Sequence, residues 1–209
     1  PMSNYAQYLT PLIVLQAIWF AAMSAAFRSA TDSVQGINRR FRAMPIPALT
    51  PLTARLTASM YRCTIALVVS VACGHVIGFR FHGGLLHAAG FCALVLLIGA
   101  MLALLGDLIG LATQNPEATA PLMLVPQVTL GLASTGLQPV ERFPDWIEGF
   151  VRNQPLSQFV YALQALAGDS NPGAAPEVSW AVLGPSLYWI GGVFVLVVVL
   201  HMRVSARRR

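Results

Sequence analysis

Five long apolar runs, nearly free of charge, alternate with short polar connections along the 209 residues. They extend from Tyr8 to Phe27, from Leu56 to Phe79, from Leu85 to Ala112, from Ala118 to Leu137 and from Val182 to Met202. A helix needs about 20 residues to cross ~30 Å of hydrocarbon, so the pattern predicts five membrane-spanning helices. The second run carries Arg62 near its start, and the third carries Asp107 near its end. The fourth contains Pro121 and Pro126, each of which removes an intrahelical hydrogen bond and predicts a kink.

The stretch between the fourth and fifth runs has a different period. From Leu156 the apolar residues Leu156, Phe159, Val160, Leu163 and Leu166 recur as one helical stripe, with Pro144 and Pro155 at first-turn positions and Gly168 at a C-terminal cap. A helix of this length reaches only about 20 Å. It is too short to cross and is expected to lie in the outer leaflet or to enter and return, with Trp146 as an interfacial anchor.

A second amphipathic pattern lies between the first two runs. Val34, Ile37, Phe41 and Met44 recur at helical spacing while Arg39, Arg40 and Arg42 take other faces, and Pro45 and Pro47 follow. The expectation is a short helix on the membrane surface from Ser33 to Met44, ended by the prolines.

Charge sets the orientation. The thirteen basic residues are all arginine, against eight acids. Arginines crowd the first connection (Arg28, Arg39, Arg40, Arg42, Arg55) and the C-terminus (Arg203, Arg207, Arg208, Arg209), which places both in the cytoplasm. The connection from 138 to 181 carries five acids against Arg142 and Arg152 and faces outward. Alternation then puts Pro1 outside, so an earlier span is expected, making these five of six. Hydrophobic residues make up 56% and charged residues 10%, against roughly 25% charged in soluble domains. The fold class is therefore an all-α integral membrane protein, a single domain over 1–209 with a cytoplasmic loop at 29–55 and outer-leaflet or re-entrant helices at 140–170. The basic charge is topological: no solvated basic face interleaved with aromatics suits nucleic acid.

Few side chains carry chemistry. There is no GxxxxGK[ST] phosphate loop, GxSxG, HExxH or paired-cysteine motif, so neither catalysis nor a bound cofactor or metal is expected. Cys63, Cys73 and Cys92 lack CxxC spacing and read as small buried hydrophobes. His75, His82 and His87 cluster at an outer turn without carboxylates and read as solvated or snorkelling side chains. Asp107 within an apolar run marks either an ion path or a packing position paired with an arginine near the cytoplasmic end. Gly99, Ala103, Gly106 and Gly110 share one face, and Gly74 with Gly78 forms a GxxxG pair, both permitting close helix contact. Gln127, Thr129, Ser134, Thr135 and Gln138 make the fourth run the most polar, either through bonds to neighbouring helices or by lining a translocation route.

The segments GINRRFRAMPIPALTPLTAR, CGHVIGFRF, LIGLATQNPEA and GLQPVERFPDWIEGFVRNQPLSQFVYALQALAGD, in that order, resemble the membrane subunits of type-2 ABC (ABC-2) exporters, in particular the daunorubicin/doxorubicin resistance permeases of the DrrB type. The resemblance runs from Tyr8 to Arg209 and implies a six-span permease of the bacterial cytoplasmic membrane, paired with a second permease, similar or identical, and with nucleotide-binding ATPase subunits that hold ATP and Mg. It implies that the element around Val34, Gly36, Ile37, Arg39, Arg40, Phe41, Arg42, Met44 and Pro45 couples to the ATPase. It also implies that the stretch with Phe143, Pro144, Trp146, Asn153, Pro155 and Phe159 forms an outer-leaflet gate. The family's first span and preceding amphipathic helix have no counterpart here. The expected function is ATP-driven outward export of an amphipathic drug or cell-envelope lipid. The rival readings are an ion- or proton-coupled carrier using Asp107, with Gln127 and Thr135 as path or packing residues, and a non-transporting scaffold.

Overall fold

The computed structural model describes residues 5–37, 40, 50–137, 143–169 and 175–206. Among them every regular element is a helix: α1 (Tyr5–Val34), α2 (Thr50–Ile77), α3 (Gly84–Thr113), α4 (Pro116–Leu132), α5 (Asp145–Asn153), α6 (Pro155–Ala167) and α7 (Trp180–Ala206). Four of these, α1, α2, α3 and α7 (through Leu200), are long and apolar enough to cross a membrane.

Helix ends fall where the backbone can leave the helix. After α1 the Gln35 N–H donates to the Thr31 carbonyl at 2.9 Å, and Gly36 adopts a φ of +70 with no side chain to oppose it. Arg40 N–H then donates to the Gly36 carbonyl at 3.2 Å, an i→i−4 bond that begins a new helical turn. Ser33 and Val34 thus belong to the span. The sequence pattern places the surface helix from Ser33; the break at Gly36 moves its start past that residue, and only 35–49 separates α1 from α2. Gly78 also departs from the sequence pattern. Its φ of +112 puts it in the turn after α2, so the expected GxxxG face reduces to Gly74, whose Cβ would stand 2.9 Å from Thr10 Cγ2.

The fourth apolar run forms a shorter helix than its pattern predicts. Asn115 caps α4, its side-chain oxygen accepting from Glu117 N–H at 2.9 Å, with Pro116 in the first turn, where its missing N–H costs nothing. The helix continues through Pro121 and Pro126 but stops at Leu132 after 17 residues. The turns beyond it are closed by Gly136 N–H donating to Ser134 Oγ at 3.1 Å, a local side-chain bond that competes with helix continuation.

α1 and α3 form the centre and bury far more of their surface than α2 or α7. Small residues bring them together. A Cβ at Gly106 would lie 3.0 Å from the Ala22 carbonyl oxygen, and one at Gly110 would lie 2.9 Å from Ala30 N and Ser29 Cβ. At this separation Ser29 Oγ reaches the Asp107 carbonyl oxygen, 3.0 Å away on α3. Between lipid-facing helices the hydrophobic effect gives no net drive, so close backbone approach of this kind is the main source of helix association. Gly99 extends the contact, facing Cys63 of α2 and Ile18 of α1. The stripe of α6 completes the core, with Leu156, Phe159, Val160, Leu163 and Leu166 all buried.

Candidate functional site

The polar side chains collect at the two ends of the bundle. At the end where α1 finishes and α2 begins, Arg55 bridges two acids: its Nε lies 3.2 Å from Asp107 Oδ1 on α3, and its Nη1 lies 3.8 Å from Asp32 Oδ2 on α1. Asp107 is buried, and among the described residues neither of its carboxylate oxygens accepts a hydrogen bond. Its charge is balanced by the arginine cation, which ties α1, α2 and α3 together at one level.

The opposite end is joined by neutral amides. Gln7, buried at the start of α1, donates to the carbonyls of Arg80 at 2.8 Å and Gly168 at 2.7 Å, and accepts from Arg80 N–H at 3.0 Å. Gln164 donates to the Tyr8 carbonyl at 3.1 Å, and His82 N–H to the Ala167 carbonyl at 3.0 Å. The Tyr8 hydroxyl donates to the Thr135 carbonyl. Gln154 occupies the elbow between α5 and α6, where its Nε2 reaches the Ala133 carbonyl at 2.6 Å and Ser157 Oγ at 2.9 Å. These bonds dock the short α5–α6 hairpin onto α1, onto the turn after α2 and onto the end of α4. Midway between the ends, Gln127 of α4 donates to Gln16 of α1 at 2.7 Å, and Trp19 Nε1 donates to the Met123 carbonyl at 3.1 Å.

The residues expected from the sequence divide accordingly. Val34 is exposed at the end of α1, Gly36 forms the break, Ile37 is half-buried and Arg40 exposed; Arg39, Phe41, Arg42, Met44 and Pro45 lie outside the described residues, as does Gln138. Pro144 precedes the first turn of α5 as its N-cap residue, one position earlier than the pattern suggests, because its ψ of 142 is extended. Pro155 opens α6, and Gly168 closes it with a φ of +71. Phe143 is half-buried, and Trp146 and Asn153 are exposed, whereas Phe159 belongs to the core. The expected outer set is therefore a surface group plus one packing residue. Gln127 is buried against Gln16, Thr129 bonds within its own helix to the Val125 carbonyl at 2.8 Å, and Thr135 lines a cleft beside α5, α6 and α7.

His75 packs among Phe79 and Phe81, with ring centroids 5.9 and 5.8 Å away, and its Nδ1 lies 3.0 Å from the Val71 carbonyl oxygen. Among the described residues no three His, Cys, Asp or Glu side chains come together as metal ligands. Sequence reasoning missed Gln7 and Gln154. The available signal was a glutamine next to an apolar run at each position, which forces the amide to find partners once buried.

The family model for ABC-2 family transporter proteins matches residues 1–202. The chain is 52% identical over 206 residues to the doxorubicin resistance ABC transporter permease protein DrrB of Mycobacterium tuberculosis, covering 99% of this chain and 71% of that one. It is 28% identical over 194 residues to the probable doxorubicin resistance ABC transporter permease protein DrrC of the same organism, covering 91% and 66%. To the daunorubicin resistance ABC transporter permease protein DrrB1 of Streptomyces coeruleorubidus it is 25% identical over 163 residues, covering 78% and 58%. No solved structure matches the chain. A bundle of long apolar helices joined through glycine faces and a short docked hairpin, matched over nearly its whole length by this family, belongs to the ABC-2 transporters: the chain is a permease of the multi-pass kind found in the bacterial cytoplasmic membrane.

Proposed function

We propose that this permease moves an amphipathic drug of the anthracycline class, or an amphipathic cell-envelope lipid, outward across the cytoplasmic membrane. In this reading ATP and Mg are bound and hydrolysed on a separate ATPase subunit, and a second permease, similar or identical, completes the path. The likeness to permeases named for doxorubicin and daunorubicin resistance carries the reading. The geometry supports a route for coupling. The α1 span breaks at Gly36 and restarts as a helical turn bearing Arg40, and Asp32, just before the break, pairs through Arg55 with Asp107 in α3. A push on the connection at 35–49 is thereby felt by three spans. The permease interface is the two-state element, and ATP and cargo both bias its equilibrium. The α5–α6 hairpin forms the outer-leaflet gate. Asp107, held against an arginine, has a structural counter-charge and does not need a proton-carrying role.

The test is co-expression with a phosphate-loop ATPase of the ABC-2 exporter type, followed by transport measurements in inverted membrane vesicles. ATP-dependent accumulation of doxorubicin, with cargo-stimulated ATP hydrolysis, is expected. Transport driven by a proton gradient without ATPase would establish the carrier instead, and unstimulated hydrolysis without transport would establish a scaffold. An Arg39→Glu/Arg40→Glu double variant that inserts correctly, still recruits its ATPase and transports normally would remove the coupling role.

A further inference from the structure

The hairpin end contains a cleft of ≈ 450 Å³ lined by Thr135, Glu148, Arg152, Ser157, Gln158, Tyr161, Ala181 and Pro185. Its volume falls within the roughly 300–1,000 Å³ of small-molecule sites. Four segments build it: the turn after α4, α5, α6 and the first turns of α7. Hydrogen bonds fix its walls. Gln158 Nε2 donates to the Arg152 carbonyl at 2.7 Å, Ser186 Oγ donates to the Gln158 carbonyl at 2.9 Å, and Thr135 N–H donates to Ser157 Oγ at 3.2 Å.

The lining holds one acid and one base, Glu148 and Arg152. Glu148 and Arg152 are four residues apart on α5, a spacing that puts them on one face. Among the described residues, neither takes part in an ion pair. Two further polar groups are incompletely used. Thr135 Oγ1 is buried without a hydrogen-bond partner among the described residues, and Pro185 has no N–H to give the Ala181 carbonyl one turn earlier. Acceptors for a cation and a guanidinium for an anion therefore face one rigid space. The two helices α5 and α7 that contribute to it also carry exposed Trp146, Phe150, Trp180 and Tyr188, the residue types that form aromatic belts at headgroup depth.

We propose that this cleft binds the headgroup of a zwitterionic phospholipid of the outer leaflet, with the ammonium on Glu148, the Ala181 carbonyl and Thr135 Oγ1, and the phosphate on Arg152 and the Tyr161 hydroxyl. The site rests on the reading that the hairpin end faces outward but is independent of the exported cargo. A resident lipid would anchor the hairpin to the bilayer surface and hold the gate at a fixed depth.

Lipid retention by the purified permease, without ATPase, separates this site from the transport reading. Native mass spectrometry after incubation with equal amounts of phosphatidylethanolamine, phosphatidylglycerol and a cationic trimethylammonium lipid of matched chains is expected to show about a ten-fold preference for phosphatidylethanolamine, the size of one charge-assisted hydrogen bond. Glu148→Gln should remove the preference over phosphatidylglycerol, and Arg152→Gln should remove the preference over the cationic lipid. Ala181→Trp, which fills the cleft without changing charge, should lower retention of phosphatidylethanolamine to the level of the other two. Equal retention of all three lipids by the unmodified permease overturns the proposal. So does a cationic lipid held as tightly as phosphatidylethanolamine, or a preference that persists in the three variants with unchanged melting temperature.

Discussion

The two ends of this bundle solve the same problem with different chemistry. Where α1, α2 and α3 meet near Asp107, one arginine and two acids connect three helices across 3.2 and 3.8 Å. Where the hairpin docks, glutamine amides bond to backbone carbonyls at 2.6–3.2 Å. A charged group is costly to bury and strongly committed to its partner, so removing one member of the first network exposes the full cost of the others. Each neutral amide costs less to lose, and several act in parallel. The charged end suits a place where a pull must reach several spans together, and the amide end suits a platform that keeps its shape.

The comparison is broken most severely at the charged end. Arg55→Met should destabilise the permease by about 3–5 kcal/mol, because the Asp107 carboxylate is left buried without its cation. The Arg55→Met/Asp107→Leu pair should recover most of that loss. Thermal unfolding in detergent reads both, and a double variant no more stable than the single one would mean that the ion pair is incidental. Next in size is Gly110→Val, where the new side chain meets Ala30 and Ser29 on α1. Overpacking of this kind costs about 1–3 kcal/mol, and the upper part of that range is expected because backbone is in the way. Size-exclusion profiles and melting temperature report it.

At the amide end Gln7→Leu removes three hydrogen bonds and should cost about 1–2 kcal/mol, with faster amide exchange at Arg80 and His82 as a local signature. If exchange there is unchanged, the Gln7 bonds do not contribute to holding the hairpin. The smallest effect is expected between the ends. Gln127→Leu loses one bond to Gln16, about 0.6 kcal/mol by the average for such contacts within membranes, and its melting temperature should barely move.

Much of the architecture was legible in the sequence because hydrocarbon imposes a length and a composition on any helix that crosses it. Four apolar runs correspond to α1, α2, α3 and α7, and the glycine face of α3 does pack closely on α1. Helix ends were less legible, since α1 continues past the apolar zone until Gly36 allows the turn, although Gly168 ends α6 where the pattern placed its cap. The fourth run was overextended because apolar character persists to Leu137 while Ser134 and Gly136 close a local turn. A pairing of Asp107 with some arginine follows from the cost of a lone buried charge. The identity of Arg55 does not, because the partners are far apart in sequence and meet only through the packing of α2 on α3. The cleft by α5 was hidden for the same reason, being assembled from four separate segments.

The length of α4 has a consequence for the surrounding lipid. Seventeen residues rise only about 25 Å, against the ~30 Å of hydrocarbon in an average bilayer. Leu122, Leu124, Val125, Val128 and Leu132 present an exposed apolar face, and the α5–α6 hairpin stands beside the end of α4. Lipid tails against that face must shorten or tilt to match it. Where bilayer meets that face, the hydrocarbon is expected to thin locally to the height of α4.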